Sequence, residues 1–208
     1  MPGHGFQPVL EGLHLFEGLV FKVADGQERV RVLEFRRQVY QAELGYHGVD
    51  RFDEQAHHLI ALDRHGEIVA ASRMLGPDQR PFDIEQFIDI SRIVPPARSP
   101  AQTGGMWVHP SHRAVSRRSF VPIGMLKLAY DFARKRGITD FVMYTYPRLQ
   151  SIYRSAFFRR VDMTFKHPSW GEVCVMHLDL LAIEEKYSQS SGPTARLLFA
   201  TDLPNFLV

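Results

Sequence analysis

The chain of 208 residues predicts an α/β fold, with one mixed sheet carrying helices on its faces. Three observations point to it. Two apolar, strand-like runs at 57–62 and 67–74 are split by Asp63-Arg64-His65-Gly66, the pattern of a hairpin. Through the second half, helical and strand periodicities alternate. The composition, 45% hydrophobic and 23% charged, is that of a chain able to bury a core. No apolar run approaches the ~18–20 residues of a membrane span.

The elements follow in order. Residues 19–23 read as a first strand and Ala24-Asp25-Gly26 as a turn. Residues 27–46 have apolar positions at Val30, Val32, Leu33, Val39, Tyr40 and Leu44, near helical spacing with charge between them. After the hairpin, 76–102 is rich in Pro, Asp and Arg, with one apolar stretch at 84–93. It reads as a long excursion with some helix on the rim of a site. Met106-Trp107-Val108 is a central strand. Residues 122–136 read as a helix, with Pro122 near its start, Met125, Leu128, Ala129 and Phe132 inward, and Gly137 as the stop. A strand at 141–146, a helix at 147–159 and strands at 163–166 and 173–180 complete the pattern. This gives a flexible N-terminal arm (1–17), one domain (18–182) and a tail (183–208). The apolar end of the tail, 203–208, is expected to pack on the domain or on a partner, a homodimer being one case.

Charge is unevenly distributed. Residues 103–170 carry twelve Lys/Arg and three Asp/Glu, a balance of +9 in a chain of formal charge +2, so the remainder is −7. Such a field suits an acidic partner. Cys174 is the only cysteine and sits in an apolar run, where a buried, inert thiol is expected. His57 and His58 are adjacent, so on a strand they point to opposite faces. His109 and His112 lie three apart with no cysteine or acidic residue close in sequence; either is a candidate base, and no metal site is expected. The first residues, Met1-Pro2-Gly3-His4-Gly5, lack the layout of a secretory signal, and a cytoplasmic location is expected.

Three segments carry a resemblance. Arg36-Arg37-Gln38-Val39-Tyr40-Gln41-Ala42-Glu43, followed by Asp50-Arg51-Phe52-Asp53, resembles the Arg-rich first helix and Asp-x-Tyr-Asp-like signature of acyl-homoserine-lactone synthases. The hairpin His57–Leu62 with Gly66 to Leu75 resembles that of the same branch. Met106-Trp107-Val108-His109-Pro110-Ser111-His112-Arg113 resembles the strand and phosphate loop of the GNAT acyltransferase superfamily. Together they span roughly residues 18–180 and are closest to the branch of N-acyl amino acid and acyl-homoserine-lactone synthases. The resemblance implies a GNAT-like sheet splayed between its two central strands. It also implies transfer of an acyl group from an acyl-carrier-protein (ACP) or CoA thioester to a small-molecule amine.

The resemblance also implies site residues. Asp50 and Asp53 bind and position the amine, with Arg36, Arg73 and Gln102 around the acceptor; the bland alternative is a turn cap or a surface ion pair. A lone Arg on a helix ordinarily faces solvent, so Arg36 enters through the resemblance alone. Trp107, Val108, Arg113, Arg117 and Arg118 are the donor-binding set, with Val108 also at the carbonyl. Tyr153 is the acid for the leaving thiolate, or else an aromatic packed on the sheet. The phosphate loop, Arg113-Ala114-Val115-Ser116-Arg117-Arg118, lacks the usual glycines, so arginine side chains rather than backbone amides would hold phosphate. This suits a carrier-bound phosphopantetheine, with one phosphodiester, better than CoA. Asp89-Ile90-Ser91-Arg92 looks like the lactone synthases' Glu-x-Ser-Arg element but precedes the central strand. Counted from Arg73, the family spacing falls on Gln102, with Gly105 in the arginine's place.

Competing readings are an acetyl-CoA-dependent N-acetyltransferase, which the loop disfavours, and a lactone synthase, which the altered Glu/Arg element disfavours. A nucleic-acid-binding module would use the basic half, but no helix-turn-helix, zinc or RNP signature supports it. A non-catalytic interaction module is the last, and saturable acyl transfer would remove it.

Overall fold

The computed structural model describes residues 16–46, 48–113, 121–188, 192–201 and 203–208. Among these, eight strands form one open mixed sheet in the order β6-β7-β5-β4-β3-β2-β1-β8. In chain order they are β1 (Val20–Val23), β2 (His57–Leu62), β3 (Ile68–Leu75), β4 (Pro100–Val108), β5 (Asp140–Thr145), β6 (Arg159–His167), β7 (Gly171–Asp179) and β8 (Phe206–Leu207). The helices are α1 (Gly26–Leu44), α2 (Pro110–Arg113), α3 (Val121–Lys135), α4 (Gln150–Ser155), α5 (Leu180–Tyr187) and α6 (Pro193–Phe199).

Strand alternation sends successive side chains to two layers. Phe141, Met143, Cys174, Met176 and Leu178 pack with Met125, Leu128 and Phe132 of α3 on one face. Val142, Tyr144, Val173 and Val175 face the other way, where Phe82, Ile84, Ile90 and Val94 of the 76–99 excursion cover them. Helix α1 lies on this second face, with Val32 against Ile60, Ile68 and Ala71. Cys174 is buried, as expected, and burial pushes its thiol pKa up. His57 packs on Phe132 while the His58 ring bonds the Asp53 carbonyl, the opposite-face arrangement expected of neighbours on a strand.

Several expectations are corrected. The buried stripe of α1 is Val32, Arg36 and Tyr40, at spacings of four; Val30 and Leu44 are exposed. Strand β4 begins at Pro100, inside the segment read as excursion, because proline is tolerated at the first residue of a strand. Helix α4 stops at Ser155, and Phe157, with φ 69°, turns the chain into a longer β6. The tail forms α6 and then β8, which pairs in parallel with β1. Phe206 of the apolar end stacks on Phe21 and meets Phe16 edge-on. Residues 1–15 of the expected arm lie outside the described residues, but Phe16, assigned to it, is in the core.

One feature of the sheet positions the site. Strands β4 and β5 pair in parallel at only three positions, Pro100 with Asp140, Ala101 with Phe141 and Gln102 with Val142. Beyond Gln102 the strands part, so β4 from Thr103 to Val108 has β3 on one side and a gap on the other.

Candidate active site

The gap begins at a β-bulge. Arg73 pairs with Gly104 and Ala71 with Trp107, so two residues, Gly105 and Met106, oppose Ser72. Gly105 has φ 59°, a backbone state that glycine adopts without strain. A Cβ there would lie 2.6 Å from Nη1 of Arg36, and that nitrogen donates to the Gly105 carbonyl at 3.1 Å. Past the bulge, the His109 N–H donates to the Val69 carbonyl at 2.7 Å. Because N–H groups alternate sides along a strand, those of Met106 and Val108 point away from β3 and toward the gap.

Beside the bulge is a cavity of about 460 Å³, a usual size for a small-molecule site. The sequence-derived acceptor set converges on it. Arg73 Nη1 contacts Asp50 Oδ1 at 2.7 Å and Asp53 Oδ2 at 3.1 Å, and its Nη2 contacts Asp83 Oδ2 at 3.0 Å. Arg36 Nη2 lies 3.4 Å from Asp53 Oδ1 and donates to the Gly48 carbonyl at 3.1 Å. Tyr144 donates its hydroxyl proton to Asp83. Gln102 accepts the Ile84 N–H at 2.9 Å, which ties the excursion to β4.

These residues divide into two kinds. Arg36, Arg73, Asp53 and Asp83 are buried, and Asp53 is wholly so. Asp53 also accepts the Asp50 N–H at 2.9 Å, so it holds both arginines and the loop. By contrast, the Asp50 side chain is 47% exposed and lines the cavity. Its partial burial would raise its pKa, but Arg73 and the Phe52 N–H outweigh that and hold it below the usual value. For Arg73, burial is likewise outweighed by Asp53 and Asp50, and its pKa rises. Within the cluster two guanidiniums contact three carboxylates, while a third arginine on the cavity, Arg51, donates to Gln86 at 3.0 Å.

The donor-side residues are arranged differently. Trp107 meets Phe35 of α1 edge-on at 4.8 Å, and the Arg113 guanidinium lies over its ring at 4.8 Å. Arg113 also contacts Glu43 at 2.6 Å and donates to the Val108 carbonyl, so it is turned back on the fold. Arg117 and Arg118 lie outside the described residues. Tyr153 sits on α4, after β5, with Phe158 edge-on at 5.9 Å. Burial pushes its pKa up to about 12, partly offset by a hydrogen bond from Thr145, the last residue of β5.

The expectation that Arg36 faces solvent is overturned: at 2% exposure it is part of the helix's inner stripe. Its spacing of four from Val32 and Tyr40 was the available signal. Sequence reasoning missed the residues that close the cavity: Asp83, Tyr144, and the β6–β7 turn with His167 and Trp170. His109 and His112 share the Ser111 hydroxyl on an exposed turn and do not line the cavity. Among the described residues, no three His, Cys, Asp or Glu side chains are grouped to hold a metal ion. No helix among them is long and apolar enough to cross a membrane.

Comparison with known proteins identifies the fold. Residues 31–120 match the model of the acetyltransferase (GNAT) domain. No curated protein matches the chain in sequence. Among solved structures, FeeM, an N-acyl amino acid synthase from uncultured soil microbes, is similar with a TM-score of 0.66. The match covers 80% of this chain and 93% of that one at 8% identity. BjaI, a CoA-dependent acyl-homoserine-lactone synthase solved with SAM and isopentyl-CoA, is similar with a TM-score of 0.61, over 88% and 100% of the two chains at 13% identity. LasI, an acyl-homoserine-lactone (AHL) synthase, gives 0.61 over 91% and 97% at 10% identity. Identities this low speak to fold. The chain has the GNAT acyltransferase fold, with residues 31–120 carrying the match to that family's domain.

Proposed function

We propose that the protein is an N-acyltransferase, moving an acyl group from an ACP or CoA thioester to the amine of an amino acid or related small metabolite. The observation that carries this is the cavity's position. It places a half-exposed carboxylate, Asp50, beside the unpaired stretch of β4.

The chemistry follows from the groups on either side. The acceptor arrives as an ammonium and finds the cluster's uncompensated charge at Asp50. Asp53, Arg36 and Arg73 are positioning residues for that carboxylate. Asp50, its pKa held low, is a weak base, so the amine proton leaves to water and only the neutral fraction attacks. The amine nitrogen bonds to the thioester carbonyl carbon. The tetrahedral oxyanion then faces the amides of Met106 and Val108. The C–S bond breaks, the thiolate departs and the second amine proton is lost to solvent. With its pKa near 12, Tyr153 stays protonated at neutral pH. An ordinary thiol titrates near ~8.5, so the phenol's role is to hydrogen-bond the leaving sulfur rather than protonate it outright.

Donor binding is assigned to Arg117 and Arg118, with Trp107 and Val108 along the strand and Arg113 bracing Trp107. Replacing Arg117 and Arg118 by Ala should raise the donor KM well above its wild-type value and leave the acceptor KM unchanged; an unchanged donor KM removes them from the site. ACP is the proposed partner, and such thioesters imply a cytoplasmic setting. The lactone-synthase reading is disfavoured because Gln102 and Gly105 stand where its Glu and Arg are expected.

The test is intact-mass spectrometry of acyl-ACP and acyl-CoA panels incubated with the protein and a pool of amines. Deacylation of the donor with a matching N-acyl product is the expected result. Turnover of acetyl-CoA alone would move the protein to the small-chain acetyltransferases. No transfer from any donor would refute the reading.

A further inference from the structure

The cavity that Asp50 lines is also lined by a cluster of aromatic rings. Trp170, on the β6–β7 turn, is its hub: ring centroids lie 5.4 Å away at Tyr144, 5.5 Å at His167 and 6.3 Å at Tyr46. Phe87 of the excursion meets His167 at 5.4 Å. All five residues line the cavity, and Trp170 is only partly buried. The Tyr46 hydroxyl is buried with no hydrogen-bond partner among the described residues. The His167 Nδ1 accepts the Ser169 N–H at 3.1 Å, so the neutral ring carries its proton on Nε2 and is a donor, not a base.

An alkyl chain would bring nothing to satisfy these rings or the Asp50 charge on the same cavity. The walls are flat and quadrupolar, and they favour a ring edge-to-face or offset beyond the contact area alone. Asp50 is the carboxylate of the cluster left open to a cation, while Arg51, which lines the same cavity, is held by Gln86 at 3.0 Å. The acyl chain is a poor occupant, since it would strand Asp50 against hydrocarbon.

We infer that the acceptor is an aromatic primary amine, its ring seated against Trp170 and its ammonium on Asp50. Naming this ligand the acceptor rests on the acyl-transfer reading; the cage itself does not. The β6–β7 turn is then the specificity element, with Trp170 the residue that decides it.

The test is calorimetric binding without any donor, using phenethylamine and isoamylamine, which share one ammonium and differ in the ring. The wild-type protein should bind phenethylamine roughly tenfold more tightly, the size expected of two aromatic contacts. Trp170→Ala should erase the difference and Trp170→Phe retain most of it. The wild-type comparison needs no variant, so misfolding of Trp170→Ala leaves the test intact. Equal affinity for the two amines, or an equal loss of both in Trp170→Ala, would overturn the inference. Acyl transfer to the same two amines separates the claims. Selective binding with no acylation from any thioester supports the cage while removing the enzyme reading. Acylation of both at equal kcat/KM keeps the enzyme and removes the cage.

Discussion

Two ionic clusters sit on this sheet, one at each end of the β4–β5 pair. At the paired end, Arg98 contacts Asp140 at 2.8 Å and Asp179 at 2.5 Å. His177 bonds Asp140 at 2.8 Å and takes a hydrogen bond from Arg159 at 3.0 Å. Arg98 contacts both carboxylates, Arg159 reaches Asp140 only through His177, and the structure uses both carboxylates fully: Asp140 also accepts from Thr139, and Asp179 caps α5 through the Ala182 N–H. At the parted end, three carboxylates face two guanidiniums, and one of them, Asp50, opens onto a void. The paired-end cluster, its carboxylates fully engaged, joins β5, β6 and β7 to the segment before β4; the parted-end one has a carboxylate left for a ligand. Buried ion pairs alone say little about function, whereas a local imbalance beside a cavity does.

The arginines should separate the two clusters most strongly. Arg73→Ala leaves Asp83 buried without its cation and Asp53 with Arg36 alone, a loss of about 3–5 kcal/mol by urea unfolding. The folded fraction should not use the acceptor. Arg98→Ala, at a more accessible position, should cost about 1–3 kcal/mol and leave the acceptor KM unchanged. If Arg98→Ala disturbed the acceptor KM as much as Arg73→Ala does, the division of labour would be wrong.

Gly105→Ala sharpens the contrast at the bulge. It puts a side chain in left-handed backbone and drives a methyl into the Arg36 guanidinium. About 1–3 kcal/mol of stability should be lost, with a raised acceptor KM; a variant of unchanged stability and kinetics would show that Arg36 tolerates displacement.

The smallest effect is in acid. Burial would raise the Asp140 pKa, but hydrogen bonds from His177 and Arg98 outweigh it and hold the pKa at about 2 against an ordinary 3.8. A depressed carboxylate pKa stabilises the fold above pH 3.8, and that contribution is lost as pH falls through about 2. The stability advantage of wild type over Asp140→Asn should therefore be largest above pH 4 and shrink toward pH 2. An advantage constant across that window would contradict the assigned shift.

The paired end and the parted end were unequally legible in the sequence. The hairpin, α3 and β7 announce themselves through apolar period, whereas the inner stripe of α1 includes a charge and two of its apolar positions are exposed. Asp50, Asp53, Arg73 and Gln102 were reached through motif order, and all lie in or beside one cavity. Arg36 was legible in position but misread in environment, because a charge in an inner stripe is decided by a partner 17 residues away, Asp53. The start of β4 was missed because Pro-Ala-Gln-Thr-Gly-Gly has no strand-like alternation; its Gly-Gly pair was the unused signal of the bulge. Asp83, Tyr144, His167 and Trp170 meet only through long-range packing, and no local spacing reports that. Asp140 and His177 belong to the same class.

The central claim is that the uncompensated carboxylate of the parted end receives the amine. Its most direct test is steady-state kinetics of Asp50→Asn, measured separately against donor and acceptor. Asp50 is half-exposed, so the variant should fold normally. The acceptor KM should rise roughly 10- to 100-fold, the value of a charge-assisted hydrogen bond, and the donor KM should stay put. An unchanged acceptor KM in a folded Asp50→Asn protein would contradict the account.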